Sequence, residues 1–247
     1  MKPLSILAAI ALAGGTVEFG QGMTGGQFNP AIAQSARLLG ATAGFTATAQ
    51  MSTVEANGLE TINELNYAVR DGLVLMEMDL TKTKTLRKGK LVKKKNDDME
   101  GMAGMGLGKQ VTLVRPDKAA TYIVYPGLKA YCEAPKTASH ETPKSEWKEE
   151  GPDTVDSHPC TKYLVTTTNA DGTTEQATVW KAADLQNFVI QTVTVSGGDT
   201  TTLKFANIKL DKPAAAAFDL PADYKQYGSM QELMMGAMQQ MMQNMGQ

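Results

Sequence analysis

A meander of short strands and tight turns in the middle of the chain constrains the fold most. Val111–Val114 and Thr121–Tyr125 are runs rich in β-branched and aromatic residues, and each is followed by a turn. Arg115–Lys118 carries Pro at the second turn position, and Pro126-Gly127 cannot continue a ladder. A third short run ends at Cys132. This pattern predicts the centre of an antiparallel sheet.

The same alternation of apolar and polar residues recurs on both sides of the meander. Asp71-Gly72 lies between two alternating runs and is a strong hairpin signal. With the meander, about ten strands separated by turn signals predict a mainly β (α+β) fold, a curled antiparallel sheet or half-open β-barrel. The remaining predicted strands are Phe45–Met51, Ile62–Val69, Val74–Leu80, Tyr163–Thr168, Glu175–Trp180, Phe188–Val195 and Thr201–Ile208.

A polar, proline-containing segment, Glu133–Pro159, separates the two groups of strands. Its composition predicts a long surface loop whose ends are Cys132 and Cys160. In an oxidising compartment such a cysteine pair predicts a disulfide. A zinc site using both cysteines with His140 and His158 is an alternative, although the spacing matches no usual zinc finger.

The N-terminal residues 1–22 resemble a secretory signal and its flexible end. A single Lys2 precedes a short apolar stretch, which is followed by small residues. An apolar N-terminal helix that stays attached is the alternative. The signal predicts an exported protein, either periplasmic or secreted, from which the leader is cleaved. Because the end of the leader carries no Cys, we predict that the protein is not a lipobox lipoprotein. Asn29-Pro30 then predicts the start of an N-terminal helix that ends near Gly40.

A basic stretch, Thr81–Lys95, interrupts a chain whose formal net charge is only −2. One interpretation is a solvated strand end and loop. The other is a docking surface for anionic membrane lipid. Nucleic acid is not a predicted partner, because no aromatic residue is interleaved to stack on bases. The predicted docking residues are Lys82, Lys84, Arg87, Lys88, Lys93, Lys94 and Lys95.

Methionine is clustered in two places. Met99, Met102 and Met105 resemble thioether ligands for copper(I), although a loop without metal explains them too. Ser229 and Glu232 form a predicted capping box for an amphipathic helix over 229–245. Its apolar stripe predicts packing against the body or a face that binds a partner or covers a lipid-filled mouth. The stripe contains Met230, Met234, Met238, Met241 and Met245, widened by Leu233, Ala237 and Met242.

Scattered motifs resemble an uncharacterised, DUF4412-like family of secreted bacterial proteins. The matching residues are Arg115, Asp117, Tyr122, Pro126, Lys129 and Tyr131, then Cys160–Tyr163, Val179–Ala182, Leu185, Asn207-Ile208, Phe218–Pro221 and Tyr224. The resemblance covers roughly 45–224 and implies one domain, 44–225, similar in fold to the LolA and LolB lipoprotein carriers of the periplasm. The implied architecture is a half-open barrel over helices with an apolar cavity. The basic insertion and the Met-rich tail depart from the family pattern.

The leading functional prediction is a non-enzymatic carrier that holds a lipid or lipidated ligand in this cavity without a cofactor. Soft-metal binding and a structural or interaction role in the cell envelope are the alternatives. No nucleophile motif points to an enzyme. The predicted lining residues, each of which also suits a plain core, are Leu65, Tyr67, Tyr122, Val124, Trp180, Phe188 and Ile190.

Overall fold

Strands dominate the protein in a computed structural model, which describes residues 44–92, 101, 103–134, 144–168, 174–196 and 198–245. The first eight strands are β1 (Gly44–Val54), β2 (Leu59–Arg70), β3 (Leu73–Asp79), β4 (Lys84–Arg87), β5 (Lys90–Leu91), β6 (Lys109–Arg115), β7 (Ala120–Tyr125) and β8 (Ala130–Glu133). The remaining elements are β9 (Lys144–Val155), β10 (His158–Thr168), β11 (Thr174–Ala182), β12 (Phe188–Ser196), β13 (Asp199–Lys209), β14 (Lys225–Tyr227) and helix α1 (Met230–Met245). The chain is therefore mainly β, as predicted.

All fourteen strands of the described chain belong to one sheet. Its order is β14-β8-β7-β6-β3-β2-β1-β13-β12-β11-β10-β9, with the β4–β5 hairpin attached to the first half of β2. The sheet consists of two meanders that meet where β1 pairs with β13. β14 and β8 run parallel, so the sheet is mixed rather than antiparallel throughout. β9 and β14 lie at opposite ends of this order and do not pair with each other, so the described sheet is not closed into a barrel.

One face of the sheet, here called the inner face, carries the main hydrophobic core. In β1, Phe45, Ala47, Ala49 and Met51 are buried at every second position, as expected for a strand with one packed face. The ring of Phe45 lies 4.9 Å from that of Phe188 on β12, although β13 separates the two strands. Strands two apart in a sheet are about 10 Å apart, so the side chains converge on this face.

Helix α1 packs on the inner face at the β14 end of the sheet. Ser229 Oγ accepts a hydrogen bond from the backbone N–H of Glu232, and the Glu232 carboxylate accepts one from the N–H of Gly228, which forms the predicted cap. Leu233 and Ala237 are buried, and Leu233 packs with Ile123 of β7. The other members of this cluster are Leu107, Tyr125, Ala130, Cys132 and Ala134, with Met105, Leu128, Tyr227, Met230 and Met234 packed against it.

The predicted methionine stripe is only partly buried. Met230 and Met234 pack on the sheet, whereas Met238 and Met242 of the stripe are exposed, as is Met235 outside it. The buried positions follow the spacing i, i+3, i+4 and i+7 through Leu233 and Ala237, so the helix is rotated away from the all-methionine stripe. An exposed methionine face results.

The prediction of one long surface loop between Glu133 and Pro159 is wrong. Residues 144–155 form β9, which pairs with β10 along its whole length. Asp156 and Ser157 form the connecting turn and both have positive φ, at 46° and 72°, as a two-residue hairpin of this type needs. Pro152 is tolerated because β9 is an edge strand. Trp147 is the one aromatic residue in the otherwise mostly polar sequence of β9.

Several predictions lie outside the described residues: the secretory signal at 1–22, the helix that begins at Asn29-Pro30, Lys93–Lys95, and Met99 with Met102. Within the described part of the chain, no helix is long and apolar enough to cross a bilayer.

Candidate functional site

The structure divides the predicted lining residues between the two faces of the sheet. Leu65, Tyr67 and Phe188 lie together in the inner-face core, where burial raises the pKa of Tyr67 well above its usual range. Trp180 and Ile190 pack in a smaller cluster with Cys160 and Ala182 on the opposite face, here called the outer face. Tyr122 and Val124 also point outward, because they alternate with Ile123, whose side chain packs in the inner-face cluster beneath α1.

The inner face near the free edge carries an aromatic site that was not predicted. It consists of Trp147 on β9, Tyr163 on β10 and Lys181 on β11. The two rings contact edge to face, with centroids 5.6 Å apart. The Lys181 ammonium lies 4.2 Å from the Trp147 ring centroid and 5.3 Å from that of Tyr163. We call these three residues the inner-face triad.

Strand pairing explains why these three side chains meet. Trp147 is paired with Val165, and Tyr163 with Val179. Both valines are fully buried in the main core, and both aromatic residues pack against that core. The Lys181 side chain reaches across β10 towards β9. A charged group therefore lies beside the apolar core.

Polar groups in and near the inner-face triad lack partners among the described residues. Lys181 has no carboxylate within ion-pair distance, and burial lowers the pKa of its ammonium. The Trp147 Nε1–H is buried without an acceptor, and so is the hydroxyl of Thr192, which faces Val179 from β12. The Lys181 ammonium and the Trp147 indole thus lie close together without an anionic partner among the described residues.

The outer face of the same strands carries a lysine and a tryptophan whose polar groups are partnered. Lys162 lies 3.0 Å from the Glu150 carboxylate and 5.8 Å from the ring centroid of Trp180. The Trp180 Nε1–H donates to Asp153 at 2.8 Å, and this hydrogen bond holds the pKa of Asp153 below its usual range.

A cavity of about 240 Å³ lies beside the outer-face cluster, lined by Asp156, His158, Leu185, Ile190 and residues 205–208. His158 Nδ1 and Asp184 Oδ2 are 2.7 Å apart. With Cys160 these are the residue types of a thiol triad. However, the Cys160 thiol donates to the His158 carbonyl and burial raises its pKa, which opposes thiolate formation.

The predicted disulfide between Cys132 and Cys160 is wrong in the structure, where both are buried free thiols. Cys132 lies on β8 beneath α1, and Cys160 lies on β10 in the outer-face cluster. The strands are separated by eight others in the sheet order. The separation arises because the polar segment between the cysteines forms β9 at the far edge. Burial raises the pKa of Cys132 to about 11.

The predicted basic docking residues are only partly available. Lys82 pairs with Asp79, and Lys84 pairs with Glu64. Arg87 and Lys88 are exposed on the β4–β5 hairpin, together with Lys90 and Leu91.

Of the predicted copper(I) ligands Met99, Met102 and Met105, only Met105 lies within the described chain. Its side chain packs against the cluster beneath α1. In the same part of the chain, His, Cys, Asp and Glu side chains form no group of three suited to a metal ion.

No protein-family model matches the chain, and no curated protein matches it. Similar solved structures include the lipoprotein LppX of Mycobacterium tuberculosis, with 11% identity and a TM-score of 0.38 over 71% of this chain and 89% of that one. The LolA superfamily protein NE2245 of Nitrosomonas europaea shares 9% identity, with a TM-score of 0.35 over 76% and 97%. MucB in the Pseudomonas aeruginosa MucA/MucB complex shares 15%, with a TM-score of 0.38 over 76% and 59%. One LolA superfamily protein is thus among the solved structures that this chain resembles, whereas membership of the DUF4412-like family is not shown.

Proposed function

We propose that the protein is an exported, non-enzymatic carrier that holds the acyl chain of a lipid or lipidated ligand against the inner face of its sheet. The supporting observation is that the apolar lining of this face continues to the edge strand β9, which pairs only with β10 among the described residues. An inner face that reaches an open edge gives an apolar chain a route of entry.

Burial decreases along the inner face towards this edge. Phe45, Phe188 and Phe205 are fully buried on the central strands, whereas Trp147 and Tyr163 are only half-buried. An acyl chain placed over the half-buried aromatic rings would lose contact with water. Each buried CH₂ contributes about 0.8 kcal/mol, so roughly ten of them would give ~8 kcal/mol before the loss of translational freedom.

The proposal is tested by titrating the delipidated full chain with oleyl alcohol, a neutral long-chain probe, and recording tryptophan fluorescence. We expect saturable binding that is weakened by Tyr163→Ser. The matched control is Leu164→Ser, because Leu164 is half-buried on the adjacent position of β10 but faces outward. Equal weakening by the two substitutions, or no binding at all, would contradict a carrier site on the inner face.

Export belongs to the same proposal, and its support is the apolar leader at 1–22. Sequencing the N-terminus of the protein isolated from its native host should show a mature chain that begins near the end of this stretch. A native chain that still begins at Met1 would contradict export by cleavage.

The exposed methionine face of α1 favours a second function, the docking of a protein partner. Met235, Met238 and Met242 are exposed at the spacing i, i+3 and i+7, and methionine adapts to irregular apolar surfaces. Peroxide oxidation followed by peptide mass spectrometry tests this. A docked partner would protect these methionines in intact cells relative to the purified protein. Equal oxidation in both samples would contradict docking.

A further inference from the structure

We infer that the inner-face triad of Lys181, Trp147 and Tyr163 is a binding site for the anionic headgroup of an amphiphile, either a carboxylate or a phosphate monoester. The inference rests on the proposed carrier function, to which it adds the chemical class of the ligand. It also assigns a role to polar groups that the apolar core does not need.

The first argument is the unbalanced charge. The half-buried Lys181 ammonium has no carboxylate partner among the described residues, although two other lysines on nearby strands do. Lys162 pairs with Glu150, and Lys204 pairs with Asp156. A partly buried charge is stable when it is paired. An anion from a ligand would supply the missing partner.

The second argument is the donor beside the charge. The Trp147 Nε1–H is buried without an acceptor, and its ring centroid is 4.2 Å from the Lys181 ammonium. An anionic group that reaches the Lys181 ammonium could also accept a hydrogen bond from this neighbouring indole. The hydroxyl of Thr192, also buried and unpartnered, lies on the same face two strands from Tyr163.

The third argument is the surroundings of these donors. Both aromatic rings pack against a core that contains Val165 and Val179, and the next strands add Phe205 and Phe188. A small hydrophilic anion gains little from such a wall. An anion attached to an alkyl chain satisfies the donors with its head while its chain lies along the apolar face. The arrangement therefore fits an anionic amphiphile better than a free ion.

The test compares two probes with chains of equal length, oleate and oleyl alcohol, on the delipidated full chain. We expect the wild type to prefer oleate. Lys181→Met should lower the affinity for oleate about ten-fold or more relative to that for oleyl alcohol, while Lys181→Arg should retain most of the oleate affinity. The matched control is Lys162→Met, which removes a lysine that also lies beside a tryptophan but on the outer face; it should leave both affinities unchanged.

The outcomes separate the two proposals. If both probes bind and Lys181→Met changes neither, the headgroup site is wrong and the carrier function stands. If neither probe binds the wild type, both are wrong. Oleyl phosphate, acetate and inorganic phosphate identify the source of the anion. Tight, Lys181-dependent binding of acetate or phosphate without preference for a chain would overturn the amphiphile assignment. Thermal unfolding of each variant checks that it is folded.

Discussion

The two faces of strands β9–β11 carry the same two residue types and differ in how their polar groups are satisfied. On the outer face, Lys162 pairs with Glu150 and the Trp180 indole donates to Asp153. On the inner face, Lys181 and the Trp147 indole have neither partner among the described residues. Both lysines lie over aromatic rings, so the aromatic contact alone does not distinguish the faces. The difference is the presence of carboxylates.

This difference shows how one sheet can serve stability on one side and binding on the other. Partnered polar groups on the outer face complete the structure without a ligand. Unpartnered donors on the inner face carry a free-energy cost in the empty protein that a ligand can remove. The side chains on one face of the sheet share few contacts with those on the other face. The effects on stability of substitutions on the two faces should therefore be additive.

The largest expected difference between the faces lies in packing. Phe205 is buried in the inner-face core and contacts Tyr67 and Phe188, so Phe205→Ala should lower the free energy of unfolding by about 3–5 kcal/mol. The adjacent Lys204 forms a partly exposed ion pair with Asp156, and Lys204→Ala should lower it by only about 0–1 kcal/mol. Urea denaturation measures both. Similar values for the two variants would contradict the assignment of the faces.

A smaller effect with opposite signs is expected for the two lysines. Lys181→Met removes an unpaired, half-buried charge and should raise the free energy of unfolding of the ligand-free protein by about 1 kcal/mol. Lys162→Met breaks the pair with Glu150 and should lower it by roughly 0.5 kcal/mol. The measurement is urea denaturation of delipidated protein. A loss of stability in both variants would contradict the prediction, because it would mean that the Lys181 ammonium already has a stabilising partner in the ligand-free fold.

The pH dependence of stability should reveal the same unpaired charge. Burial lowers the pKa of Lys181 in the folded state below the unfolded value of about 10.4, so the charged form destabilises the fold at neutral pH. This cost should disappear as pH rises from the folded pKa to the unfolded pKa. The stability difference between Lys181→Met and wild type should therefore shrink towards pH 10.5. A difference that is constant with pH would contradict the prediction.

The smallest effect is expected on the outer face in acid. The hydrogen bond from Trp180 lowers the pKa of Asp153, so its stabilising contribution is present above the unfolded pKa of about 3.9 and is lost as pH falls through the folded pKa. Trp180→Phe should therefore lose this contribution at pH 7, and the loss should vanish in acid. In an Asp153→Asn background the effect of Trp180→Phe should not vary with pH over this range. Acid titrations of urea midpoints provide the measurement.

Much of the strand pattern could be predicted from the sequence because alternation and turn residues are local. Asp71-Gly72 and the Arg115–Lys118 turn mark hairpins by their composition alone. β9 was missed because its residues are mostly exposed and polar, as an edge strand allows. Periodicity cannot detect a strand that has little to bury.

The site depended on information that no local pattern contains. Tyr122 and Val124 belong to a run in which successive residues are apolar, so the sequence does not indicate which alternate positions face inward. The bond between Cys132 and Cys160 was predicted from their position at the ends of one segment, whereas strand order separates them. Trp147, Tyr163 and Lys181 lie on three strands and meet only through pairing and curvature.

The pairing of β1 with β13 determines how early during synthesis this protein can complete its fold. Thr48 donates a hydrogen bond to the carbonyl of Ala206, 158 residues later in the chain. Contacts this distant are formed slowly, because the intervening chain must first be closed into a loop. During synthesis β1 can pair with β2 early but has no second neighbour until nearly the whole chain has emerged. The two meanders should therefore form first and join last. A nascent chain cannot complete its fold until most of its final quarter, which contains β13, has been synthesised.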